Sequence, residues 1–115
     1  MTTNISGYHA HVYFDAATVD QATALCQQAR DRFSLQMGRI HEKPVGPHPS
    51  WSCQLAFPPE QFADVITWLN LNRNGLTVFV HPNTGSDFKD HTDYVMWLGQ
   101  SETLNLSMFE KNEQS

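Results

Sequence analysis

Basic residues, long apolar runs and paired cysteines are all scarce in this chain, and each shortage closes off a class of function. Seven Lys and Arg stand against twelve Asp and Glu, a formal charge of −5. A protein that works by gripping nucleic acid phosphates needs the opposite balance, as does a polybasic membrane-surface segment. No stretch approaches the roughly 18–20 apolar residues of a membrane span. The opening residues, MTTNISGYHAHVYF, lack a basic segment followed by an apolar one, so no signal peptide is expected. Cys26 and Cys53 form no CxxC pattern and sit among apolar neighbours, which reads as two free buried thiols in a reducing, cytoplasmic setting. Charged residues are only 17% while aromatics reach 11%, a balance that a disordered chain does not show. The 115 residues make one domain, 1–115.

Several catalytic signatures are also missing. There is no GxSxG elbow, no P-loop and no GxGxxG after a strand. No pair of carboxylates is arranged for glycoside chemistry, and Cys26 lies on the apolar stripe of a helix, a poor place for a nucleophile. What the chain has instead is six histidines.

The hydrophobic pattern organises the chain. Residues 7–14 alternate as a strand, with Tyr8, Ala10, Val12 and Phe14 on one face and His9, His11 and Tyr13 on the other. Residues 18–33 read as a helix: Ala22, Leu25, Cys26, Ala29 and Phe33 form one stripe, and Thr18 with Gln21 has capping-box spacing. A second strand is expected over 35–42, and Pro44, Gly46, Pro47 and Pro49 then make a turn. The third strand is expected at 51–57, with Trp51, Cys53, Leu55 and Phe57 on one side. A second helix opens at Pro58-Pro59, buries Phe62, Val65, Ile66 and Leu69, and closes at Asn74-Gly75 with Gly75 in a left-handed C′ position. The fourth strand is 76–81, stopped by Pro82. The order β-α-β-β-α-β predicts an α+β fold, a ferredoxin-like split βαβ sandwich with strand order 4-1-3-2, two helices on one face and a C-terminal extension. That extension holds an apolar segment at 94–98 and a possible last strand at 104–109.

With the helices on one face, the other carries His9, His11, Tyr13, Ser50, Ser52, Gln54, Phe79 and His81. His9 and His11 lie roughly 6.5 Å apart along one side of a strand. The predicted topology brings His81 beside His9. Three converging imidazoles suit Fe, Zn or another borderline metal; the alternative is polar residues on a half-exposed strand. His48, held between two prolines in Gly46-Pro47-His48-Pro49, is either a fixed functional side chain or part of a plain turn. His91 follows Asp87 and Asp90 in a loop that can fold over the open face or remain on the surface. His41 reads as surface. Tyr13 can exchange a proton or simply pack.

Four blocks in order carry a resemblance: Tyr8-His-Ala-His-Val-Tyr-Phe14, Val45-Gly-Pro-His-Pro49, His81-Pro-Asn-Thr-Gly85 and Asp90-His-Thr-Asp-Tyr94. From about residue 7 to 109 the chain resembles the small extradiol DOPA dioxygenase family. The resemblance implies the same ferredoxin-like fold and cleavage of a catechol by dioxygen and Fe(II), with Zn or another divalent metal able to take the site. On that reading His9, His11 and His81 are the metal set. His48, His91 and Tyr13 serve catalysis, Phe79 and Trp51 stack on an aromatic ring, and Arg39 is the nearby cation for a charged substrate tail. No acid stands beside the HxH, although many ferrous oxygenases use two histidines and a carboxylate; Glu42, Asp87 or Asp90 would have to arrive through the fold. The partners expected are a small catechol and O₂, with no nucleic acid and no membrane. An open aromatic sheet face suggests a homodimer. Two other readings stand beside the enzyme: a non-catalytic metal or small-molecule binding module, and a cofactor-independent oxygenase or isomerase on the same fold.

Overall fold

A computed structural model describes residues 4–109. Strand β1 (Gly7–Phe14) is followed by helix α1 (Val19–Phe33), a short β2 (Gln36–Met37), β3 (Trp51–Phe57), a 3₁₀ turn at Pro59–Gln61 and helix α2 (Phe62–Asn72). Then come β4 (Val78–Asn83), a one-turn helix α3 (Asp87–Asp90) and β5 (Met96–Leu98). All strand pairs are antiparallel in one sheet of order β2-β3-β1-β4-β5. The first four strands thus take the expected 4-1-3-2 arrangement, and β5 extends the sheet beyond β4.

The core lies between the sheet and the two helices. Ala10, Val12, Phe14, Cys53, Leu55, Val78 and Val80 face Ala22, Leu25, Cys26 and Ala29 of α1 and Val65 and Leu69 of α2. These are the residues that period-2 and period-3.6 patterning assigns inward. Cys26 and Cys53 are buried and free. The neighbouring Cys53 and burial push the Cys26 thiol up, while Cys26 draws Cys53 down, and Cys53 Sγ donates to the Gly38 carbonyl, so both belong to the packing.

Five local expectations are corrected. The capping box does not form: the Thr18 hydroxyl is engaged with Asp15, accepting from its N–H at 3.0 Å and donating to Oδ1 at 2.9 Å. Gln21 instead reaches the Asn74 carbonyl at 2.9 Å. The second strand is broken early. Gly38 N–H donates to the Gln54 carbonyl, but the next bridge is His41 to Ser52. That is three steps against two, so one extra residue makes a bulge and turns His41 onto the same side as Ser52. After α2, Asn74 (φ +46°) is the first left-handed residue and Gly75 (φ +86°) the second. Pro82 does not stop β4. Ser6 N–H and Tyr13 N–H donate to the Asn83 and Thr77 carbonyls, so odd-numbered residues of β4 bond to β1. Pro82 therefore directs its missing N–H to the other side, past the end of β5, where no ladder bond is lost. Lastly, residues 107–109 are helical, and the added strand is Met96–Leu98.

The histidine face of the sheet is covered. His11, Tyr13, Ser52, Phe79 and His81 are all buried. The Pro47-His48 turn and the chain beyond β4 close over them, tied together by Asn105 N–H donating to the Pro47 carbonyl (2.9 Å) and Ser50 Oγ donating to Glu102 (3.0 Å). Among the described residues, the centre of that face is therefore covered, while His9, Gln54 and Ala56 stay half-buried. Among the described residues, no helix is long and apolar enough to cross a membrane.

Candidate metal centre

β1 and β4 place the central side chains. His9 is registered opposite His81, and His11 opposite Phe79, so the cross-strand pairs stand side by side on one face. One ligand nitrogen from each of His9, His11 and His81 lies within 4.8 Å of the others. His11 Nε2 and His81 Nε2 are 3.2 Å apart. Two nitrogens bound at about 2.1 Å to one tetrahedral or octahedral metal are roughly 3.0–3.4 Å apart, so the spacing fits a shared ion. His81 is also preset for that role. Its Nδ1 donates to the Pro82 carbonyl at 2.9 Å, which leaves Nε2 without a hydrogen, turned toward His11 Nε2, and fixes the ring, as metal-binding histidines require. The cluster can hold a metal ion. Among the described residues no carboxylate joins it: Asp90 is buried, but both its oxygens are held by Thr84, from N–H at 2.9 Å and Oγ1 at 2.6 Å.

Around the three imidazoles lies a shell of rings. His48 packs on His11 at 4.1 Å between centroids and hydrogen-bonds Tyr13 Oη through Nδ1 at 2.8 Å. His91 does fold back: it lies 4.3 Å from His81 and 4.5 Å from Phe109, with Nδ1 donating to the Asp87 carbonyl at 2.7 Å. Phe79, wholly buried, touches His11, His81, His91 and Trp97.

Burial sets the protonation. Desolvation lowers His81 and His48 to about 4, with neighbouring His91 acting in the same direction on both. Desolvation, then His48 and the other imidazoles, holds His11 well below its ordinary value. His9 is lowered more mildly, by the same causes of burial and His91. All four are neutral at pH 7 and so have lone pairs to offer. Tyr13 is pushed far up, by burial first and Glu102 second, and remains a phenol.

Three residues proposed from sequence for substrate contact fall in different places. Phe79 is at the centre but inaccessible. Trp51 faces the helices and packs edge-on against Phe14, on the opposite side of the sheet from the histidines; its alternation with Cys53 and Leu55 already placed it there. Arg39 is exposed, on the bulged strand. Sequence reading missed Trp97, which pairs with Phe79 at 4.7 Å, and His41, which acts on His48. The β4–β5 pairing and the bulge, which bring these two in, are long-range events without a local signal.

The comparisons with known proteins agree with this geometry. The model of the Dopa 4,5-dioxygenase family matches residues 8–108. The chain belongs to that family. A DOPA 4,5-dioxygenase of Amanita muscaria is 33% identical over 93% of the chain, and an uncharacterized 21.2 kDa protein of Botryotinia fuckeliana is 34% identical over 93%. The chain spans 51% and 65% of these two proteins' lengths, respectively. A crystal structure of a candidate dioxygenase from Nostoc punctiforme superposes with a TM-score of 0.89 at 47% identity, covering 96% of this chain and 95% of that one. The matched stretch, residues 8–108, contains His9, His11 and His81.

Proposed function

We propose that this member of the Dopa 4,5-dioxygenase family is an extradiol ring-cleaving dioxygenase acting on a catechol, with Fe(II) held by His9, His11 and His81. The observation that carries this reading is the convergence of those three nitrogens within 4.8 Å, with His48 and His91 in ring contact with the set. A bound ferrous ion would supply the Lewis acid that acidifies the catechol hydroxyls and the redox centre for dioxygen. Both oxygen atoms end in the product, so the reaction needs no external reductant.

The protein groups divide the proton work. Tyr13 Oη and His48 Nδ1 share one hydrogen bond; on this reading the phenol is its donor, so neutral His48 carries its hydrogen at Nε2 and serves as donor. His91 is fixed the other way: Nδ1 is spent on the Asp87 carbonyl, and its bare Nε2 serves as acceptor for a catechol proton. Phe79, Trp97 and Phe109 surround these groups and keep water from them.

Anaerobic reconstitution with ferrous iron, followed by a catechol panel on an oxygen electrode with visible absorbance, tests the reading. The expected result is oxygen uptake with a yellow semialdehyde product, lost in His11→Ala. Stoichiometric metal with no uptake from any catechol would point to a binding module. Uptake that survives chelation would point to a cofactor-independent oxygenase.

A further inference from the structure

His48 and His91 come from separate segments of the chain, yet one stretch touches the supports of both. His48 sits on a turn with little of its own to hold it. Its N–H donates to the Val45 carbonyl at 3.1 Å. Gly46 (φ +55°) faces open space, and Pro44, Gly46 and Pro49 are exposed. The turn is tied instead on either side of His48 by residues beyond β5. Asn105 N–H donates to the Pro47 carbonyl at 2.9 Å, and Ser50 Oγ donates to Glu102 Oε1 at 3.0 Å. Positions 47 and 50 thus meet positions 105 and 102, so the two segments run antiparallel with His48 between the ties.

The same stretch ends on His91. Asn105 Oδ1 accepts from Ser107 N–H at 3.2 Å and from Ser107 Oγ at 2.9 Å, which caps the helical turn at 107–109. Phe109 N–H donates to the Leu106 carbonyl at 3.0 Å. The buried Phe109 ring stacks on His91, with 4.5 Å between centroids and 25° between planes. These local bonds make residues 105–109 a stiff link. A shift where the chain meets Pro47 is therefore carried to the ring that packs on His91.

We propose that residues 102–109 act as one strap that positions both His48 and His91. Glu102 is the positioning residue at the His48 end, acting through Ser50, and Asn105 joins that end to Phe109 at the other. The inference rests on the reading of these two histidines as the proton-handling groups, and adds the element that sets them together.

Glu102→Ala and Ser50→Ala each delete the tie, and Ser50→Ala, which removes one hydroxyl, decides the matter should Glu102→Ala not fold. In Zn(II)-loaded protein labelled with ¹⁵N-histidine, each is expected to broaden or split the His48 ring signals and to move those of His91 as well. In the iron-loaded enzyme each is expected to lower kcat about 10-fold with KM little changed. Glu102→Gln keeps an oxygen for Ser50 and is expected to restore both readouts. The double alanine variant is expected to be no worse than either single one. Asn105→Ala keeps the backbone bond to Pro47 but loses the cap, and is expected to move His91 while His48 stays. Unmoved histidine signals in the alanine variants at 50 and 102 overturn the inference. So does movement of His48 with His91 unmoved in those variants, or a glutamine variant as impaired as the alanine one. If the signals respond and the iron-loaded protein turns over no catechol, the reading of the function fails and the strap stands. If catechols are cleaved and the signals do not respond, the strap alone fails.

Discussion

Acid should unfold this protein through its buried imidazoles, and His48 gives the cleanest measurement. The side chain is 7% exposed, so solvent screens it little. Its pKa falls from 6.5 to about 4 on folding, by desolvation first and His91 and His41 second. The unfolded chain thus takes the proton more readily. The contribution of His48 is complete above about pH 6.5 and drains away as pH falls toward 4. At pH 4.5 the loss from this one group is on the order of 2–3 kcal/mol, a large share of the roughly 5–15 kcal/mol that holds a domain together. Other groups titrate over the same range, so the informative quantity is a double difference. Urea unfolding of chelator-treated protein at pH 7 and pH 4.5 is compared between wild type and His48→Gln, which keeps a hydrogen-bonding group toward Tyr13 but does not titrate. Wild type should lose about 2–3 kcal/mol more than the variant. Equal losses in the two proteins would refute the claim that burial holds His48 neutral.

Four further variants test the geometry. If His81 is one of the three ligands as proposed, His81→Ala should abolish stoichiometric zinc or iron retention after dialysis, measured by elemental analysis. Tyr13→Phe leaves a buried His48 nitrogen without its hydrogen-bond partner and should cost about 1–3 kcal/mol in urea. The ¹⁵N shifts of His48 should then show a mixture of tautomers in place of one. Trp51→Leu should lower stability by about 1–3 kcal/mol with zinc affinity unchanged, because Trp51 packs on the helix side. Trp97→Leu, which disturbs the packing around Phe79, should alter zinc affinity.

Local pattern carried much of this protein. Alternation in 7–14 and 51–57, and helical stripes in 18–33 and 62–69, are enough to order the elements, name most of the core and place His9 and His11 on the face away from the helices. Because connections between such elements follow few topologies, the same pattern put His81 beside His9, and the register pair His9–His81 is what the folded chain has. Where one residue changes parity, local reading fails. The extra residue between Gly38 and His41 leaves no mark in composition, yet it shortens β2 and turns His41 inward.

The rest was decided by tertiary structure. Alternation shows that a face is polar and aromatic but not what covers it; the return of the chain through α3, β5 and Phe109 buried the imidazoles and set their protonation. Proline stops a strand only if its missing N–H is needed, and the position of β5 made Pro82 harmless. The carbonyls that orient His81 and His91 are local, one and four positions away, but the hydroxyl that meets His48 is brought by Tyr13 across 35 positions. Residue types and their period therefore determined which side chains could take part, while long-range pairing decided their environment, because desolvation and hydrogen bonding exist only once the chain has closed around them.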